Sequence, residues 1–170
     1  MMNESATKLA FVALGSNLGD PVGVVRRAFV RLQTLSDAHL LRSSLWRSTP
    51  VDCPPGSPPF VNAVAGLHAR PGETPQSLLR QLHMLEAEFG RRRGKIANEP
   101  RLLDLDLIAF GARTVNGPEL ILPHPRAHLR RFVLQPLAEI APKFVLPGQA
   151  RGAAELLEGL SSMEALVRLE

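Results

Sequence analysis

The sequence predicts an α+β fold with helices packed on an antiparallel sheet, and three observations carry that expectation. Short apolar runs with strand character recur at Lys8–Gly15, Phe60–Leu67 and Leu103–Phe110. Between them, two longer segments place apolar residues at helical spacing: Val22, Val25, Phe29 and Leu32 in one, Leu78, Leu82, Leu85 and Phe89 in the other. The patterns alternate as β-α-β-β-α-β, the order of a ferredoxin-like split unit.

Lys8–Gly15 (KLAFVALG) is a continuous apolar run closed by glycine, the pattern of a buried strand. Asp20 and Pro21 supply the N-cap and first-turn signals of a helix. Arg26, Arg27 and Arg31 fall on the face of that helix opposite its apolar stripe, which leaves one side for a sheet. His39–Arg47 reads as the second strand. Pro50–Pro59 (PVDCPPGSPP) carries five prolines and a glycine and must be a loop. Phe60–Leu67 is the third strand. Thr74 caps a second helix, Pro75 opens it and Gly90 suits its end. Arg91–Arg101 is basic, lacks apolar periodicity and reads as a loop. Leu103–Phe110 is the fourth strand, followed by a turn at Asn116–Gly117 and a short strand at Glu119–Leu122. Leu129–Ile140 reads as a helix interrupted near Pro136, and Ala153–Leu169 as a weaker amphipathic helix. The segment before the proline-rich loop holds two strands and one helix, too little for a core of its own. Residues 1–170 are therefore expected to form a single domain.

Composition bounds the function. Apolar residues make up 45% of the 170, an ordinary globular share that argues against disorder. No apolar run approaches the ~18–20 residues of a membrane-spanning helix. The opening residues, MMNESATK, have no apolar core of a secretory signal. Cys53 is the single cysteine, so no internal disulfide can form. A soluble protein of the cytoplasm is expected. The net charge of +4 comes mostly from arginine, which suits recognition of phosphate or carboxylate groups.

Asp104-Leu105-Asp106 is the most informative element. On a strand the two carboxylates share a face, roughly 6.5–7 Å apart, while Leu103, Leu105 and Leu107 point the other way. Like charges this close repel unless a cation sits between them. Mg²⁺ is typically held by one or two carboxylates plus substrate phosphates. A solvated strand face would show the same spacing. The basic run before it, with Arg91, Arg92, Arg93, Lys95 and Arg101, favours the metal reading, because a polyphosphate needs its charge neutralised during transfer. His124 stands between Pro123 and Pro125 on a stiff backbone and could donate to a phosphate oxygen or be an ordinary loop histidine. Gly15-Ser16-Asn17-Leu18-Gly19 lacks the pattern of a phosphate-binding P-loop and reads as a tight turn. Phe60 and Asn62 share a strand face. A ring beside a carboxamide can stack on a flat heterocycle and bond its edge, although Phe60 could equally be core. Trp46 and Cys53 read as packing or loop residues.

These residues, in this order, resemble the 6-hydroxymethyl-7,8-dihydropterin pyrophosphokinase family. The resemblance runs from ALGSNLGDP at Ala13–Pro21 through FVNAVAGL at Phe60–Leu67 and LEAEFGRRR at Leu85–Arg93. It continues through PRLLDLDLIAFG at Pro100–Gly111 to LPHPRAHLRRFVLQPL at Leu122–Leu137 and FVLQPLAEIAP at Phe132–Pro142. The last twenty-five or so residues add little to it. The resemblance implies a ferredoxin-like fold, ATP as co-substrate, two Mg²⁺ ions and a reduced pterin as acceptor. It further implies Asp104 and Asp106 as metal ligands and Arg91, Arg93 and Arg101 as catalytic basic residues. Glu86, Arg101, His124 and Arg130 are implied in the nucleotide site. Gly15, Ser48, Thr49, Val51, Phe60, Asn62 and Phe132 are implied around the pterin. Asn98 and Glu99 stand where many members have an aromatic residue and a glycine, and Pro125 replaces a common tyrosine.

The implied reaction is attack of the pterin hydroxymethyl oxygen on the β-phosphorus of ATP, with AMP leaving, in folate biosynthesis. No protein nucleophile is evident. A monomer acting on ATP and pterin is expected, with neither nucleic acid nor membrane as partner. An RNA-binding module is disfavoured by the 5% aromatic content and by two aspartates on a central strand, which repel a phosphate backbone. A metal-dependent phosphohydrolase would use the same aspartates and arginines without a pterin pocket.

Overall fold

The computed structural model describes residues 8–49, 54–90 and 102–169. Strand β1 (Leu9–Ser16) leads into α1 (Pro21–Gln33), followed by the short strands β2 (Leu41–Arg42) and β3 (Trp46–Ser48). Next come β4 (Phe60–His68), α2 (Pro75–Glu88) and β5 (Asp104–Phe110). A small ribbon of β6 (Val115–Asn116) and β7 (Ile121–Leu122) precedes a 3₁₀ turn at Ala127–Leu129 and α3 (Arg131–Ile140). The described chain closes with α4 (Ala153–Glu158) and β8 (Leu166–Arg168). The main sheet runs β5-β1-β4-β3-β8 with β2 also paired to β4, and every pairing is antiparallel. This is the ferredoxin-like order with one strand added at the edge.

Capping starts both long helices where the sequence places them. The Asp20 carboxylate accepts from the Gly23 amide at 3.1 Å, with Pro21 in the first turn. Thr74 and Ser77 cap reciprocally, each side-chain oxygen accepting the other's backbone N–H, at 3.1 and 2.9 Å. Loss of such a cap costs about 1 kcal/mol. An exposed bidentate pair, Arg31 with Glu88 at 3.0 Å, ties the ends of the two helices together.

The strand alternation sorts side chains into two cores. Val12 and Leu14 of β1, Ala63 and Ala65 of β4, and Leu103, Leu105 and Leu107 beside β1 pack against Val25, Phe29, Leu78 and Leu82 of α1 and α2. Phe11, Val64, Ile108 and Ala109 face the other way and pack against Val133 and Leu137 of α3. Burial of each such large side chain contributes about 1.5–3 kcal/mol. A bulge between Phe11 and Val12, opposite Ile108, lets Ile108 and Ala109 both join the second core.

Three sequence expectations are corrected. The strand expected over 39–47 is two short pieces broken at 43–45. The Ser43 hydroxyl accepts the Val64 amide at 2.9 Å across that break. The helix at Leu129–Ile140 is not interrupted: α3 continues through Pro136, because its stripe of Val133, Leu134 and Leu137 is buried and outweighs one missing amide bond. The helix expected over 153–169 ends at Glu158, and β8 pairs instead with Trp46–Ser48. Only the first six residues of that segment keep helical packing, and the exposed edge of β3 captures Leu166–Arg168 as a strand.

Candidate active site

Register decides what meets on the α3 face of the sheet. Gly15 lies opposite Asp104 on one side and Asn62 on the other, and Asn62 lies opposite Trp46. Directly opposed residues share a face. Asp104, Gly15, Asn62 and Trp46 thus form one row across four strands. Asp104 and Asn62 stand two interstrand spacings apart, roughly 9.5–10 Å at the backbone. Between them Gly15 contributes no side chain, so the floor of the row is bare peptide.

One side of this floor is acidic. Asp104 and Asp106 are half-buried and alternate with buried Leu103, Leu105 and Leu107, as the spacing predicts. Their oxygens are hard donors, suited to Mg²⁺. Among the described residues no cluster of three or more acidic, histidine or cysteine side chains forms a closed metal cage. The buried Glu86 reaches from α2 to the free edge of β5 and accepts the Leu105 amide at 3.0 Å. Its carboxylate thereby braces the backbone between the two aspartates.

The other side carries the carboxamide and ring. Asn62 is buried, and its amide nitrogen donates to Ser48 Oγ at 2.6 Å and to the Trp46 carbonyl at 3.4 Å. Those two acceptors orient the amide, so Oδ1 turns toward Gly15, 3.7 Å from where a β-carbon would stand there. Phe60 is half-buried, and its ring edge comes within 3.8 Å of the same point. It borders the floor instead of filling the core. Ser48 is buried on β3 and Thr49 follows it, exposed. Phe132 opens α3, part-buried, with the Arg130 guanidinium 5.4 Å from its ring centre.

His124 has a defined tautomer. Its backbone N–H donates to the carbonyl of Ile108, the bulged residue of β5, at 2.8 Å. Its Nδ1 accepts the Arg126 amide at 3.2 Å. Burial, then the positive charges of Arg130 and Arg126, lower its pKa from 6.5 to about 4, against a smaller opposing pull from Asp104. The imidazole is therefore neutral at physiological pH with its proton on Nε2, a donor for an anionic oxygen.

Of the residues singled out from sequence, Gly15, Ser48, Phe60, Asn62, Asp104, Asp106, His124, Arg130 and Phe132 belong to the α3 face or the loop leading to α3. Glu86 lies in the opposite layer and reaches β5 from its edge. Val51, Arg91, Arg93 and Arg101, together with Asn98 and Glu99, lie outside the described residues. Sequence reasoning missed Trp46, Ser44 and Glu139, which meet beside Asn62 from positions about ninety residues apart. The row is invisible to local periodicity, although a lone tryptophan two residues before a buried serine was a signal.

A family model for 7,8-dihydro-6-hydroxymethylpterin-pyrophosphokinase matches residues 11–142. The chain is 40% identical over 139 residues to a 2-amino-4-hydroxy-6-hydroxymethyldihydropteridine pyrophosphokinase of Haemophilus influenzae, covering 81% of this chain and 84% of that one. It is 40% identical over 148 residues to the protein of that name from Pseudomonas aeruginosa, covering 86% and 88%. Among solved structures, it resembles wild-type Plasmodium falciparum HPPK-DHPS with pteroate, with a TM-score of 0.68 at 12% identity. That match covers 93% of this chain and 43% of the other, so the chain spans less than half of that longer protein and the likeness speaks for the fold alone. With the family model spanning most of the chain and relatives of that name 40% identical over most of their length, the chain belongs to the 7,8-dihydro-6-hydroxymethylpterin-pyrophosphokinase family, which transfers diphosphate to a hydroxymethylpterin in folate biosynthesis.

Proposed function

We propose that the bare strip at Gly15 is the floor of the pterin site and that the acidic pair beside it is the metal and phosphate site of the same reaction. The observation that carries this reading is the single row Asp104–Gly15–Asn62, which sets carboxylate and carboxamide on either side of a floor without side chains. The pterin ring lies between Phe60 and Phe132. Its N–H edge donates to Asn62 Oδ1, whose partner nitrogen is already committed to β3. Backbone groups at Ser48, Thr49 and Val51 complete that edge. The hydroxymethyl arm then points toward Asp104 and Asp106.

ATP, the diphosphate donor, lies along β5 with its phosphates near the aspartates. Two hard oxygen donors on one face fit Mg²⁺, and two ions are proposed. When bound, they supply charge neutralisation and alignment of acceptor and phosphate. His124 donates from Nε2 to a phosphate oxygen, and Arg130 adds charge on the same side. Arg91, Arg93 and Arg101 complete the basic contribution and exclude water. Glu86 shapes the nucleotide side through its hold on Leu105. The pterin hydroxyl attacks the β-phosphorus in line and AMP leaves, with no covalent enzyme intermediate.

The chain is proposed to act as a single-domain monomer in the cytoplasm. Among the described residues no helix is long and apolar enough to cross a membrane. The test is the nucleotide product. Pyrophosphoryl transfer releases AMP, stoichiometric with pterin diphosphate. Release of ADP in a coupled assay would overturn the proposed attack at the β-phosphorus.

A further inference from the structure

Glu139 plays no part in the proposed reaction, yet its carboxylate makes several hydrogen bonds beside the site. It projects from the last turns of α3 toward the break between β2 and β3. Its two oxygens accept the Ser44 amide at 3.0 and 3.1 Å, and Oε2 also accepts the Ser44 hydroxyl. Oε1 accepts the indole N–H of Trp46 at 3.2 Å. Arg168 of β8 brings a positive charge to 3.9 Å, and the Leu169 amide donates to the Leu45 carbonyl at 2.8 Å on the outer side of the same segment.

The stretch so held joins the irregular break at 43–45 to the start of β3, where Trp46 pairs with Asn62 of β4 and Arg168 of β8. Residues 43–45 interrupt the strand: the Ser43 amide still donates to the Val64 carbonyl at 3.0 Å and the Leu45 carbonyl accepts from Leu169, but the Ser44 amide between them takes the Glu139 carboxylate as its acceptor. β3, which follows the break directly, carries the groups that orient Asn62: the Trp46 carbonyl and, two residues on, Ser48 Oγ. A shift of Trp46 would therefore turn the Asn62 amide.

We propose that Glu139 is a positioning residue for the acceptor substrate, holding Ser44 and Trp46 so that Asn62 keeps its carbonyl oxygen aimed over Gly15. The inference rests on the reading of Asn62 as the group that bonds the pterin edge. Glu139 acts through β3, without touching either substrate.

The experiment compares Glu139→Ala, Glu139→Gln and Trp46→Phe for the KM of each substrate and kcat, and the two Glu139 variants also for the emission of Trp46, the single tryptophan. Glu139→Ala should raise the KM for hydroxymethylpterin about tenfold, the equivalent of one charge-assisted hydrogen bond, and leave the KM for ATP within about twofold. Glu139→Gln, which keeps one carbonyl acceptor, should recover part of the loss. Trp46 emission should shift in both Glu139 variants without ligand. Trp46→Phe, which removes the indole donor and keeps a ring, should raise the pterin KM selectively, and it remains informative if Glu139→Ala fails to fold. Asn62→Ala supplies the reference. Adding Glu139→Ala to it should raise the pterin KM by less than about twofold more, because both changes remove one interaction. Equal losses for both substrates, full additivity, or unchanged pterin KM in folded Glu139→Gln and Trp46→Phe would overturn the inference. If Asn62→Ala itself leaves pterin binding intact, the pocket reading fails instead.

Discussion

Replacing Gly15 with alanine tests the floor of the site directly. The backbone there has no positive φ, and a methyl would meet Asn62 Oδ1 at 3.7 Å and Phe60 Cδ1 at 3.8 Å, both ordinary contacts. The empty protein should accept it. Fewer unfolded conformations should stabilise the fold by about 0.4–1 kcal/mol. The methyl nevertheless stands about 1.5 Å above the peptide plane, where a flat ring would rest. Lifting the ring or forcing the neighbours apart costs about 1–3 kcal/mol, the usual range for overpacking. That corresponds to roughly 5- to 150-fold weaker pterin binding. Calorimetry with the pterin, beside a melting curve and a titration with a non-hydrolysable ATP analogue, reads all three quantities. The expected pattern is an unchanged or raised Tm, unchanged nucleotide affinity and weakened pterin affinity. An alanine variant that binds pterin as well as the parent would refute the placement of the ring on Gly15. A large fall in Tm would show that the space above Gly15 is smaller than described.

Asp104→Asn and Asp106→Asn should each leave the metal-free Tm unchanged or slightly raised, since one of two repelling charges is lost, while kcat falls on the order of 100-fold or more. Near-parental rates of AMP release in both variants would remove the metal site. For His124 the folded pKa, about 4, lies below its ordinary 6.5, so the unfolded chain binds the extra proton first. Stability of the metal-free protein should therefore drop as pH falls from 6.5 toward 4, by roughly 1 kcal/mol once solvent screening of this part-exposed ring is allowed for. The same slope in His124→Gln would assign the loss to other groups. Asp20→Ala removes the cap of α1 and should lower stability by about 1 kcal/mol with little change in KM for either substrate; no change in urea midpoint would show the cap to be dispensable.

Much of the site was legible before any tertiary information. Alternation of Leu103, Asp104, Leu105, Asp106 and Leu107 is a period-two signal, and burial follows it residue by residue. Asp20–Pro21 and Thr74–Pro75 marked both helix starts because capping is satisfied within one turn of chain. Such features depend on neighbours a few residues apart. Other parts depend on partners far along the chain. Whether Asp104 stands beside Gly15, or one residue out of step on the opposite face, is a matter of register, and no local pattern on β1 states which strand it will pair with or where. The same holds for β8, whose amphipathic spacing suits a helix until the open edge of β3 offers it a ladder, and for Pro136, whose cost is outweighed by the apolar stripe around it. His124 takes its tautomer from the Arg126 amide and its place from the Ile108 carbonyl, and Trp46 takes its orientation from a carboxylate on α3. The sequence by itself determined which elements form and which chemical groups are at hand. Only the tertiary structure decided which of those groups share a face, because hydrogen-bond partners and charges from distant segments select among backbone arrangements that local propensity leaves nearly equal in energy.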